Sequence, residues 1–181
     1  MRKAVFLERD GILNLVRVER QQQVAPTTVE EFHVNHDALH DLERLKAAGF
    51  LLIATTNQPG LSHGGLYRRE LDLMHDKLRR TFALDDVLVC PHTEADMCPC
   101  HKPRPGLLTE AAFNWQLDLD GCFVVSDKWQ DAAAARTVGC TSLLIKSPWI
   151  AAVHRDLALP SLSIVVDRIL QISSPGRILA A

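Results

Sequence analysis

Residues 5–14 read Val-Phe-Leu-Glu-Arg-Asp-Gly-Ile-Leu-Asn, and they decide how the chain is to be folded. A short apolar run stops at two carboxylates, Glu8 and Asp10, that stand one residue apart and lead into Gly11. A chain presents an acidic pair at the tip of a β-strand in this way, with glycine supplying the turn. On its own, such a pair is more often a solvated turn than a site, so the rest of the chain has to settle which it is.

Working outward, strands alternate with helices. After the first strand (3–8) comes a helical segment at 37–49, where Leu39, Leu42 and Leu45 share a face and Gly49 ends the run. Residues 50–56, FLLIATT, form a continuous apolar strand of the kind buried on both faces of a parallel sheet. Leu71, Met74, Leu78 and Phe82 define a helix over 68–82, and 86–90 is a third strand. Then follow a helix at 105–116, a strand at 121–127, a short helix at 131–139 and a strand at 141–145. Segment 160–172 favours a helix through Leu162, Val165, Val166 and Ile169. The pattern predicts one Rossmann-like α/β domain over 1–172, with a mostly parallel sheet, helices on both faces and a loose tail at 173–181. Segment 15–36 reads as a long loop, which leaves no room for a large cap domain.

Ligands in such folds sit beyond the carboxyl ends of the strands. The polar residues gather there: Glu8, Arg9 and Asp10 after the first strand, Thr56, Asn57 and Gln58 after the second. Lys102 follows the third, and Ser126, Asp127, Lys128 and Asp131 follow the fourth. Acids for a divalent cation, a hydroxyl and an amide for phosphate oxygens, and a lysine for phosphate charge suit phosphoryl transfer. Asp131 either orients this cluster or caps the helix that begins near it.

The five cysteines point to a metal rather than to disulfides, because three of them fall in CPHTEADMCPC, residues 90–100. Cys90, His92, Cys98 and Cys100 supply three thiolates and an imidazole, a zinc-type donor set. Cys122 and Cys140 lie in or beside strands and read as small core residues. A formal charge of −2 gives no footprint for nucleic acid or for a membrane surface. No apolar run approaches a membrane span, and the opening MRKAVFLERDG turns polar too early for a signal peptide. The expectation is a cytoplasmic monomer.

In their order, these motifs resemble the haloacid dehalogenase (HAD) superfamily of phosphatases, and within it the heptose 1,7-bisphosphate and histidinol-phosphate phosphatases. The resemblance rests on ERDG at 8–11, Thr-Asn-Gln at 56–58, the Cys/His loop running into Lys102 and Pro103, and SDKWQD at 126–131. It implies magnesium at Glu8, Asp127 and the backbone carbonyl of Asp10, and zinc at Cys90, His92, Cys98 and Cys100. It also implies a nucleophile at position 8 that forms an acyl-phosphate, with Asp10 as acid and base and Lys102 against the phosphate charge. Arg9, Thr56, Asn57, His63, His101 and Lys128 would meet the substrate, a small phosphorylated sugar, and Asp131 would support the acids.

Four positions depart from the family pattern. Glu8 stands where the nucleophile is aspartate, His63 and His101 where arginine is usual, and Ser126 where glycine is usual. The extra methylene moves the carboxylate by about one bond length, ~1.5 Å. Misplacement on that scale costs about a hundredfold in rate. Histidine grips phosphate less firmly than the permanent fork of arginine. The departures predict a weakened phosphatase or, as an alternative, an impaired relative that keeps only metal and phosphate binding.

Overall fold

In the computed structural model, alternate side chains of the first strand divide the core in two. Residues 1–148, 150 and 158–174 are described here. Strand β1 (Ala4–Glu8) sends Val5 and Leu7 to one face of the sheet and Ala4 and Phe6 to the other, all fully buried. Helices cover both faces. On the first lie α1 (Leu39–Ala47), α3 (Arg68–Phe82) and α6 (Leu162–Ser173); on the second lie α4 (Gly106–Trp115) and α5 (Trp129–Thr137).

The sheet is six-stranded and parallel, in the order β5–β4–β1–β6–β7–β8. Here β4 is Leu51–Asn57, β5 Asp86–Cys90, β6 Phe123–Ser126, β7 Thr141–Ile145 and β8 Ala158–Leu159. The central strand β1 pairs with β4 on one side and with β6 on the other. The chain therefore winds outward from β1 in one direction, then returns to wind in the other. That reversal opens a crevice at the carboxyl ends of β1, β4 and β6, where the sequence has its polar clusters.

The helical stripe of α3 is the one read from its spacing: Leu71, Met74, Leu78 and Phe82 are all buried. Segment 160–172, ambiguous in sequence, forms α6, with the hydroxyl of Ser161 accepting a hydrogen bond from Ile164 N at its start. One expectation needs correction. Segment 15–36 is not simply a loop, because Arg17–Glu19 (β2) and Gln22–Val24 (β3) pair as an antiparallel hairpin. Its side chains are too polar and too exposed to show a core-facing alternation. The expected tail at 173–181 begins at the end of α6 and, past Ser174, lies outside the described residues. Among the described residues, no helix is long and apolar enough to cross a membrane.

Candidate active site

Glu8 closes β1 with its carboxylate almost fully enclosed, 3 % exposed. The Nζ of Lys102 donates to Glu8 Oε2, and the backbone N–H of Asp10 donates to Oε1 at 3.2 Å. Burial alone would raise the pKa of this acid, but the ammonium groups of Lys102 and Lys128 outweigh it and hold Glu8 at about 2. Lys102 reaches the site from the segment after the Cys/His loop, and the side chain of Asn57 clamps its backbone. Asn57 Nδ2 donates to the Lys102 carbonyl at 3.2 Å, and Lys102 N donates to Asn57 Oδ1 at 3.2 Å.

Asp131 does not cap α5. Its Oδ1 accepts from Lys102 Nζ at 2.8 Å, and its Oδ2 accepts from Ser126 Oγ at 2.8 Å. Burial is the largest influence on Asp131 and lifts it to about 6, with Lys102 opposing and Glu8 adding to the rise. Burial likewise works against the charge on Lys102, yet Asp131 and Glu8 keep that ammonium above its ordinary range. Ser126, fully buried, does not crowd the backbone here. Its hydroxyl donates to Asp131 and accepts from Lys128 N at 3.0 Å, which ties the end of β6 to the start of α5.

Asp127 lies beside the turn after β1. A Cβ built on Gly11 would fall 2.7 Å from Asp127 Oδ2, and Gly11 has φ +104°. Close approach and left-handed backbone both require glycine there. Gln23, on β3 of the hairpin, donates from Nε2 to Asp127 Oδ2 at 2.5 Å. Asp127 Oδ1 is buried without a hydrogen-bond partner, and burial raises the pKa of this acid. Lys128 Nζ donates to the Asp10 carbonyl at 2.5 Å and stands 3.5 Å from both Glu8 Oε1 and Asp127 Oδ1.

These groups surround a cavity of about 230 Å³ lined by Glu8, Asp10, Asn57, His101, Lys102 and Lys128, together with Asp131 and the hairpin residue Gln23. His101 also leans on the Cys/His loop. Its Nδ1 lies 2.8 Å from the His92 carbonyl, which can only accept, so Nδ1 carries the hydrogen.

Three residues expected at the phosphate are not among those that line this cavity. Arg9 is fully buried in the turn that follows β1, on the side that α3 covers. Its guanidinium donates from Nη2 to both oxygens of Asp10, at 2.9 and 3.0 Å, and stacks over Phe32. Thr56 is fully buried too, its hydroxyl accepting from Gln58 Nε2 at 2.8 Å and facing Asp10 Oδ2 at 3.4 Å. His63 ends the short helix α2 (Gly60–His63) and is exposed. Gln23 and Gln58 are the residues that reading the sequence undervalues. Gln58 Nε2 donates to Asp10 Oδ2 at 2.8 Å. Gln23, in a polar tract, carries no spacing signal of its own, whereas Gln58 stands in the Thr-Asn-Gln motif at a strand end.

The Cys/His loop brings its four donors together. The ligand atoms of Cys90, His92, Cys98 and Cys100 lie within 4.8 Å of one another and could hold a metal ion. The sulfur of Cys90 lies 3.7 Å from that of Cys98 and 3.3 Å from that of Cys100. Gly106 lets α4 pack against this loop, since a Cβ there would meet the Pro99 carbonyl oxygen at 2.4 Å. Cys122 and Cys140 are buried in the core, as their strand positions predict.

A parallel sheet that reverses about β1, with acids at its strand ends, defines a phosphatase of the haloacid dehalogenase type, and comparison with known proteins agrees. A family described as HAD-hydrolase-like matches residues 99–166. The D-glycero-β-D-manno-heptose-1,7-bisphosphate 7-phosphatase of Pseudomonas aeruginosa is 32 % identical over 151 residues, covering 81 % of this chain and 82 % of its own. The crystal structure of the D,D-heptose 1,7-bisphosphate phosphatase of Bordetella bronchiseptica, complexed with magnesium and phosphate, superposes with a TM-score of 0.77 at 26 % identity, covering 95 % of this chain and 99 % of that one. The histidine biosynthesis bifunctional protein of Campylobacter jejuni is 28 % identical over 78 % of this chain and 41 % of its own length. The chain belongs to the HAD phosphatase family and is an enzyme of that type. Its relatives there include the heptose bisphosphate phosphatases.

Proposed function

We propose that the chain is a magnesium-dependent phosphomonoesterase for a small phosphorylated sugar, a heptose 1,7-bisphosphate by analogy with its relatives, and that it works through an acyl-phosphate on Glu8. The observation that carries the reading is the Glu8 carboxylate, which stands at the carboxyl end of β1, lines the cavity beside Asp10 and is paired with Lys102. An ionised carboxylate is a competent nucleophile toward phosphorus.

In the first half-reaction, a Glu8 oxygen bonds to phosphorus as the bond from phosphorus to the leaving alcohol breaks, and Asp10 gives that alcohol its proton. In the second, water attacks the phosphorus of the glutamyl phosphate and Asp10 takes the proton. Inorganic phosphate leaves and Glu8 is regenerated. Lys102, charged and held by Asp131, offsets the phosphoryl charge. Arg9 and Gln58 hold the carboxylate of Asp10 from behind.

The donor set fits magnesium. Glu8, Asp127 and the Asp10 carbonyl are hard oxygens, and Asp127 Oδ1, buried without a hydrogen bond and with the Lys128 ammonium 3.5 Å away, is the feature that a metal cation would satisfy. When bound there, magnesium would supply positive charge to the transferring phosphoryl oxygens. The Cys/His cluster fits zinc. Metal–sulfur bonds of about 2.3 Å in a tetrahedron place sulfurs roughly 3.8 Å apart, near the separations of 3.3 and 3.7 Å found at Cys90. Four protein ligands leave no open position, so this zinc would be structural and would hold the loop that delivers His101 and Lys102.

The pairing of Glu8 with Lys102 favours a second reading, an impaired relative that retains binding. Phosphate release across a panel that includes heptose 1,7-bisphosphate and histidinol phosphate, with magnesium and with a chelator, separates the two. Release from the heptose bisphosphate that the chelator abolishes is the expected result. Silence across the whole panel, with phosphate still bound, would select the impaired reading.

A further inference from the structure

Lys128 places its ammonium on the point where three oxygens converge. The nitrogen lies 2.5 Å from the Asp10 carbonyl oxygen, 3.5 Å from Glu8 Oε1 and 3.5 Å from Asp127 Oδ1. These are the groups read above as magnesium ligands, and each comes from a different residue. An ammonium and a magnesium ion cannot share that point. Magnesium takes its oxygens at about 2.0–2.1 Å in a near-ideal octahedron, and two cations within a few ångströms repel strongly in an enclosed site.

We propose that Lys128 is a tethered cation of this site, one that holds the metal ligands together and exchanges with magnesium, its ammonium swinging into the cavity as the metal enters. The inference rests on the magnesium reading above. The side chain has the means to move. It is the more exposed of the two lysines, at 22 % against 6 % for Lys102, and it lines the cavity beside Gln130 and His101. Its flexible four-carbon stem ends in a point charge that needs no fixed fork geometry. Lys102, by contrast, is locked between Glu8 and Asp131 and through Asn57. The exchange has a cost in affinity, because apparent binding is reduced by the fraction of molecules in which the ligands are free.

Two measurements on the whole chain test the proposal. The first follows acylation of Lys128 by an amine-reactive ester, read by peptide mass spectrometry, while magnesium chloride is titrated. Slow labelling without magnesium is expected to quicken at least fivefold, with a midpoint that matches the calorimetric Kd for magnesium. The second compares Kd in the wild type and in Lys128→Met, which is expected to bind magnesium at least tenfold more tightly. Asp127→Asn is the control that should lose binding. If magnesium binds in the wild type but the labelling rate of Lys128 stays flat at saturation, the exchange is overturned and the magnesium site stands. If neither the wild type nor Lys128→Met binds magnesium, the site reading fails and the exchange fails with it.

Discussion

Lys102 and Asp131 form an ion pair of 2.8 Å within the fold, with side chains 6 % and 2 % exposed. The pair fixes the far side of an ammonium whose near side meets Glu8, so the position of Glu8, the proposed nucleophile, depends on a carboxylate that makes no hydrogen bond to it. Removing Asp131 leaves Lys102 with Glu8 as its charge partner, so the loss is smaller than the about 3–5 kcal/mol of a buried pair broken outright. Asp131→Ala is therefore expected to lower the urea midpoint modestly, with an unchanged denaturant slope. An unshifted midpoint would mean that the pair is not closed in solution.

Glu8→Asp tests whether reach limits turnover. The shorter acid withdraws its carboxylate from Lys102 and brings it to the distance that the family geometry uses. At least a tenfold gain in phosphate release is expected, a barrier lower by about 1.4 kcal/mol. Magnesium affinity should change little, since the charge is the same. If the aspartate variant is no faster than the wild type on the full substrate panel, position 8 is not the limit.

Cys98→Ser probes the loop separately from the sheet. It is expected to drop zinc content well below one per chain and to speed hydrogen exchange across residues 90–102, while β1, β4 and β6 stay protected. Phosphate binding should weaken with it, because Lys102 and His101 leave the same loop. Full zinc content in the variant would show that the cluster is not the metal site.

His75 gives the fold an acid sensitivity that can be measured. It is buried on α3 with its Nε2 3.4 Å from Arg9 Nη1, and burial, aided by the Arg9 charge, lowers its pKa to about 3. The unfolded chain holds a proton on this ring below about 6.5, and the folded one does not. Stability is therefore fully present above that pH and is lost as pH falls from about 6.5 toward 3, by at most about 1.4 kcal/mol per pH unit. His75→Gln should flatten that part of the profile. A profile of unchanged slope would show that His75 is protonated in the native state.

How much of this was legible in the sequence differs from residue to residue. The strands and helices, their parallel arrangement and the gathering of Glu8, Asp10, Asn57, Lys102 and Asp127 at strand ends follow from apolar periodicity and from where polar residues interrupt it. So does the Cys/His cluster, because its donors are close in sequence and their spacing alone makes a four-donor loop. These are local properties, and a chain displays them before it folds.

What only the tertiary structure decided is where side chains from distant segments point. Arg9 stands between two site acids in sequence yet turns to His75 and Phe32, because the turn after β1 aims it at the face that α3 covers. Gln23 lies in an unremarkable polar tract, and only the folding of the β2–β3 hairpin carries it to Asp127, 104 residues away in the chain. Asp131 had two readings until Lys102 and Ser126 were seen to take both of its oxygens. Lys128 follows the fourth strand in sequence, and only packing shows that three oxygens from three residues draw its ammonium in among the acids. Periodicity records which face a residue prefers; the partner it meets there depends on packing between segments far apart in sequence, and no local pattern encodes that.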